Sequence, residues 1–252
     1  MRNLKLVLAY DGTDFCGWQV QPEATSIQGT LASAIGRITG EKVPPQGSGR
    51  TDAGVHALAQ VATFSTESVI PAANLVIALN DILPASVRVL EASEVPEGFH
   101  ARKSAKGKTY RYRMYREAIC PPFLARYVWH YPYPLNLEAM REATALIEGE
   151  RDFTSFAAVD PEKIDGEIMR REANLRTVFS SQWRQDGGEF IYEVRGNGFL
   201  HHMVRNLVGT FLLVGKGTLK PQDVIRILNA KDRSAAGATA PASGLYLVNV
   251  EY

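Results

Sequence analysis

Cysteine is nearly absent. Two residues in a chain of 252, Cys16 and Cys120, are too few for a disulfide framework or for a zinc site built from four thiolates. They read as free thiols in a reducing compartment. Long apolar runs are also missing: no stretch approaches the roughly 20 residues that cross a bilayer. The N-terminal stretch alternates polar and apolar residues and meets Asp11, which excludes a secretory signal core. A cytoplasmic protein without membrane contact is the expectation. An excess of one charge is missing as well. With 28 Lys and Arg against 27 Asp and Glu, the net charge is +1, so the chain is neither an acidic tail nor basic throughout. No Gly-x-Gly-x-x-Gly opens a helix and no phosphate-cradling Gly-x-x-x-x-Gly-Lys-Ser/Thr occurs, so nothing calls for a nucleotide or other cofactor. Histidine pairs three or four apart do not occur either. His201 and His202 are adjacent, about 100 degrees apart on a helix and unsuited to one metal, and no metal is expected.

What is present is a folded chain, 45% hydrophobic and 22% charged, long enough to bury one large core or two ordinary ones. Its positive charge is local. From Arg102 to Arg116 there are seven basic residues (Arg102, Lys103, Lys106, Lys108, Arg111, Arg113, Arg116) and no acidic one. The stretch is interleaved with Tyr110, Tyr112 and Tyr115, as a surface facing RNA would be, although a run of charge is also the ordinary content of a solvated face.

Periodicity sets out the elements. Leu4, Leu6 and Leu8 share one face of a strand that ends at Asp11-Gly12. Thr25 or Ser26 caps a helix with Ile27, Leu31 and Ile35 inward and Gly40 at its end. A Gly-rich turn at 46–49 precedes a strand at 59–64, so Asp52 falls in a loop entering a strand. A helix over 72–83 and a strand over 87–90 follow. Residues 108–115 alternate as a strand, with Tyr110, Tyr112 and Met114 on one face and Arg111, Arg113 and Tyr115 on the other. Beyond a Pro-rich stretch, Asn136 caps a helix with Leu137, Met140, Thr144 and Ile147 inward and Gly149 at its end. The charged residues 160–172 read as a loop excursion. A strand pair around Val178 and Tyr192, helices at 201–214 and 221–229, and a strand at 245–250 complete the chain. This order gives an α+β protein of two lobes, 1–103 and 104–252, with no detectable sequence repeat.

Four runs carry a resemblance. They are Asp11-Gly12 through Gly17-Trp18-Gln19, the octapeptide Gly49-Arg50-Thr51-Asp52-Ala53-Gly54-Val55-His56, Lys108-Thr109-Tyr110-Arg111-Tyr112, and Phe199 through Asn206. Gly244-Leu245-Tyr246-Leu247 is a fifth. In this order and spacing they resemble the TruA family of tRNA pseudouridine synthases. The octapeptide is specific, the others weak singly, and together they span nearly the whole chain. Cys16 departs from the family, which more often has an aromatic there, and 157–173 matches nothing that aligns.

The resemblance implies two related ferredoxin- or RRM-like lobes whose antiparallel sheets join into one central sheet, with a catalytic cleft between them. It further implies a homodimer sharing one tRNA. The substrate it implies is a uridine in the anticodon stem-loop, roughly nucleotides 38 to 40, in RNA of the stem-loop kind that proteins read base by base.

Pseudouridine formation breaks the N1–C1′ bond, turns the uracil and rejoins it through C5. An ionised carboxylate suits this, because it can add to C1′ or balance its positive charge and then leave. The resemblance gives that role to Asp52, which without it would read as an ordinary turn residue before Gly54. Desolvation in a cleft keeps a carboxyl protonated unless a guanidinium is close, so a cleft Asp acting at neutral pH predicts an arginine partner. By resemblance that partner is Arg205, otherwise a helix-surface arginine. A stem uridine must be turned out and its base stacked. Tyr110 resembles the tyrosine that packs on the target base, and its plain alternative is a core tyrosine, which fits Tyr112 better. Arg50 resembles an arginine that enters the stem or clamps a phosphate, and its alternative is a turn arginine. Leu245 resembles the residue beneath the site, close in meaning to plain core. Arg102, Lys103, Lys106, Lys108, Arg111 and Arg113 are the expected RNA-binding cations.

Two other classes compete. A hydrolase or nuclease using Asp52 with His56 leaves Tyr110 unexplained and lacks the acidic cluster of two-metal chemistry. A non-catalytic RNA-binding module would need the basic strand and not Asp52.

Overall fold

The computed structural model describes residues 1–158 and 174–252. These residues form ten strands and five α-helices, the α+β class read from the sequence. They divide into two compact units, Met1–Lys108 with Tyr246–Tyr252, and Thr109–Leu245. The sequence boundary near residue 104 kept the C-terminal residues with the second lobe. They join the first unit because their strand pairs there.

In the first unit, β1 (Arg2–Tyr10) runs antiparallel to both β3 (His56–Thr66) and β4 (Val87–Val95), with Leu6 opposite Ala62 and Ala92. Leu4, Leu6 and Leu8 are fully buried, as their alternation requires. The two-residue β2 (Gln46–Gly47) pairs with β3, and β10 (Leu245–Glu251) lies parallel to β3, with Tyr246 opposite His56. The expected antiparallel pairing holds for β1 with β3 and β4, and β10 adds one parallel pair, which needs a connection longer than a hairpin. Helix α1 (Ile27–Thr39) starts where the Ser26 side chain accepts the Gly29 N–H and stops at Gly40, whose φ is +76°. Helix α2 (Ala72–Ile82) is stapled to β4 by Asn80, whose side chain both donates to and accepts from the Val89 backbone.

In the second unit β5 (Gly107–Tyr115), entering at Thr109, is followed across the sheet by β9 (Glu189–Gly196), β8 (Leu175–Asp186) and β7 (Gly149–Asp152). The short β6 (Trp129–His130), read from sequence only as part of a Pro-rich stretch, pairs parallel with β5. Helices α3 (Leu137–Ala145), α4 (Met203–Gly215) and α5 (Asp223–Ala230) complete the unit. Asn136 caps α3 by accepting the Ala139 N–H. Gly149 does not close that helix but opens β7 with φ +87°. All of α4 is buried except Arg205 and Leu213. The charged residues 160–172 lie outside the described residues.

Candidate active site

Asp52 sits at the first position of a tight turn. The Val55 N–H donates to the Asp52 carbonyl at 3.1 Å, and Gly54 takes φ +78°, the left-handed third position of a type II turn. The turn is pressed against the loop after β1. A Cβ on Gly12 would meet the Val55 carbonyl oxygen at 2.0 Å, and one on Gly17 (φ +101°) the Thr51 oxygen at 2.5 Å. Backbone bonds bind the two loops: Trp18 N–H to Thr51 O at 3.0 Å and Gly54 N–H to Phe15 O at 3.3 Å. The glycines of the Asp11–Gln19 run are there so that backbone can touch backbone.

His56 closes the turn on its far side. It is 2% exposed, accepts the Gly12 N–H at Nδ1 (3.2 Å), lies 3.2 Å from an Asp11 carboxylate oxygen and stacks on Tyr246 at 4.8 Å. On the near side, Gln60 is fully buried among bonding partners. Its Oε1 accepts the Val61 N–H (3.1 Å) and the Ser48 hydroxyl (2.6 Å). Its Nε2 therefore donates, to Gly49 O at 3.0 Å and to the Tyr10 hydroxyl oxygen at 3.4 Å. The Tyr10 hydroxyl meets Thr51 Oγ1 at 2.9 Å. Burial pushes Tyr10 up to about 12, against the pull of the Thr51 and Gln60 bonds, so its hydroxyl stays protonated. Arg50 is exposed, Thr51 buried and Asp52 half-buried.

In the second unit Tyr110 is 8% exposed and meets Phe199 edge to face at 5.0 Å. Tyr112 is fully buried, donates to Pro241 O at 2.8 Å and touches Gly244. Burial drives its hydroxyl far above the ordinary tyrosine range, with the Arg205 charge pulling the other way. The Tyr112 hydroxyl thus has the partner that a core tyrosine requires. Arg205 Nε donates to Ala240 O at 2.7 Å, and Ala240 N–H returns to Arg205 O at 3.2 Å. Its neighbour Asn206 anchors the same segment: its amide donates to Phe156 O, and its Oδ1 accepts from Arg233 (3.0 Å) and Thr239 (2.7 Å). Leu245 is 5% exposed at the start of β10.

The basic run is not uniform. Arg111 pairs with Glu193 at 2.9 Å and Arg113 with Glu189 at 2.5 Å, both acids on β9. Lys108 donates to Ser48 O at 2.6 Å, and Arg116 lies over the Phe190 ring at 4.9 Å. Arg102, Lys103 and Lys106 are exposed. The helical spacing assumed for His201 and His202 is corrected: α4 begins after them, His202 has φ +59°, and their rings lie 4.0 Å apart.

Sequence reasoning passed over Tyr10 and Gln60 and read Asp11 only as a turn and as part of a resemblance run. Gln60 did leave a signal, a lone amide in the run 59–64, while the contacts of Tyr10 with Thr51 and of Asp11 with His56 are long-range and left none.

A family profile described as tRNA pseudouridine synthase matches residues 6–102 and 143–252. Curated relatives named tRNA pseudouridine synthase A align over the whole chain. That from Solibacter usitatus is 48% identical over 252 residues, covering 100% of both chains. That from Moorella thermoacetica is 46% identical, covering 99% of each, and that from Caldicellulosiruptor bescii is 44% identical, covering 100% of each.

Proposed function

Because the chain belongs to the tRNA pseudouridine synthase family, and is thus an isomerase acting on uridine in tRNA, we propose that it acts on the anticodon stem-loop with Asp52 as nucleophile. The observation that carries this reading is the placement of Asp52. It is a half-buried carboxylate on a type II turn whose backbone is bonded on both sides, in the octapeptide specific to the family. A nucleophile that must add to C1′ and later leave gains from a fixed backbone, since pre-set geometry removes much of the entropic cost of reaction.

In the proposed sequence the Asp52 carboxylate attacks C1′ or balances its charge as the N1–C1′ bond breaks. The uracil turns, C5 bonds to C1′, the carboxylate departs, and the C5 proton is lost to restore the ring. Arg205 is the cationic partner of the site, and Tyr110 stacks on the base, an interaction worth roughly 1–3 kcal/mol. Arg50 contacts the RNA backbone or enters the stem, and Leu245 packs beneath the site. Arg102, Lys103 and Lys106 hold phosphates, with Lys108 beside them, whereas the expected contribution of Arg111 and Arg113 is reduced by their pairing with Glu193 and Glu189. The enzyme works as a cytoplasmic homodimer that shares one tRNA. No helix among the described residues is long and apolar enough to cross a membrane.

The test is to map pseudouridine in tRNA after incubation with the wild-type chain and with Asp52→Asn, EDTA present and absent. Expected are modification in the anticodon stem-loop, indifference to EDTA, and abolished turnover with retained tRNA binding in the variant. Turnover by Asp52→Asn overturns the nucleophile, and modification elsewhere overturns the site.

A further inference from the structure

We infer that Thr51 is a positioning residue for Asp52, held by a hydrogen-bond relay that runs from Gln60 through Tyr10. This rests on the reading of Asp52 as nucleophile. Donor accounting orients the Gln60 end of the relay. The Val61 N–H and the Ser48 hydroxyl both point at Gln60 Oε1, which fixes the amide orientation and leaves Nε2 to donate to Gly49 O and Tyr10 Oη. The Tyr10 hydroxyl, which accepts from Gln60, is hydrogen-bonded in turn to Thr51 Oγ1 at 2.9 Å. The phenol remains a donor across the working pH range because burial holds it up at about 12.

Thr51 is the one buried residue between exposed Arg50 and half-buried Asp52. Its carbonyl is held by the Trp18 N–H at 3.0 Å and its side chain by Tyr10, so the peptide leading into Asp52 is gripped at two points. The hydroxyl bond adds a side-chain anchor to the backbone bonds that already hold this turn. A buried network of this kind, fully satisfied at Gln60, costs desolvation that an apolar core would avoid. Its return is a fixed direction for the adjacent carboxylate.

The experiment compares Thr51→Val, Thr51→Ser, Tyr10→Phe and the Thr51→Val/Tyr10→Phe double variant in the full chain. Steady-state pseudouridine formation, tRNA affinity and melting temperature are measured for each. Thr51→Val and Tyr10→Phe are expected to lower kcat about tenfold or more, the scale of a nucleophile slightly misplaced, with KM and tRNA affinity unchanged. The double variant is expected to match the singles, because both break one bond, and Thr51→Ser to recover kcat to within about twofold. Tyr10→Phe keeps the ring and its packing, so it reports even where Thr51→Val folds poorly. Wild-type kcat in Tyr10→Phe and Thr51→Val, with only melting lowered, overturns the inference. A raised KM at constant kcat also overturns it, by moving the role to RNA binding. Asp52→Asn run alongside separates the premises: turnover there removes the nucleophile reading, whereas a dead Asp52→Asn with fully active Thr51→Val removes only the relay.

Discussion

At the scale of single residues, the turn bearing Asp52 is set by groups with no chemical role. Gly17 and Gly40 both take positive φ, yet only Gly17 abuts the turn, while a Cβ on Gly40 meets open space. Gly17→Ala and Gly40→Ala are therefore both expected to lose stability, by about 1–3 kcal/mol from backbone strain. Only Gly17→Ala should also lose kcat, because its Cβ displaces the Thr51 carbonyl. Urea denaturation with steady-state kinetics on the two variants checks this, and equal kcat in both would detach Gly17 from the turn. Asp52 was legible as a candidate through the resemblance of its octapeptide, while the turn itself was legible because turn chemistry is local. The partners that hold the turn were not legible. Asp11 reads as a strand-ending turn, and its approach to His56 joins residues far apart in sequence through the β1 and β3 pairing.

At the scale of elements, what could be read were features whose cause lies within a few residues. Ser26 and Asn136 cap their helices as their side chains dictate, and Gly40 ends α1 in the left-handed region. The alternation of β5 buries Tyr110, Tyr112 and Met114. The rest depends on partners. The two-residue β2 and β6 exist only through pairing with longer strands, and β10 is parallel to β3 because of where the chain returns. One such long-range tie joins β7 to the residue after α5: Asp152 meets Lys231 Nζ at 2.8 Å, and Lys231 itself has φ +50°. Burial raises the Asp152 carboxyl, but bonds from Lys231 and from the Thr154 hydroxyl and N–H outweigh it, so the group sits below the ordinary value of 3.8. A depressed folded pKa gives stability that is present above the unfolded value and lost as pH falls through the folded one. Asp152→Asn is thus expected to unfold more easily than wild type at pH near 7. The gap should close as the wild-type carboxyl protonates, in the acid range below 3.8. Parallel denaturant melts across that range check it, and a gap that persists in acid would assign the effect to packing.

At the scale of the whole molecule, a net charge of +1 must still serve a polyanionic substrate. The sequence offers one basic run, and the fold sorts it. Arg111 and Arg113 face Glu193 and Glu189, so their charge is balanced where it stands, whereas Arg102, Lys103 and Lys106 are exposed and have no acidic neighbour in sequence from 102 to 116. That sorting was hidden in the sequence because the two glutamates lie on β9, more than seventy positions away from the arginines they balance. It has a measurable consequence in counterion release. Each phosphate neutralised contributes about 0.7, as on single strands, to about 0.9, as on B-DNA, to the slope of log affinity against log salt. Replacing Arg102, Lys103 and Lys106 together by Ala should flatten the slope for tRNA by up to about 3. Removing a balanced pair by Arg111→Gln with Glu193→Gln changes no net charge and should leave the slope as it was. Binding measured from low to physiological salt for the wild type and both variants distinguishes the two. If the paired variant flattens the slope and the triple variant does not, the phosphates lie along β5, with the Arg111 and Arg113 ion pairs opening on contact with RNA.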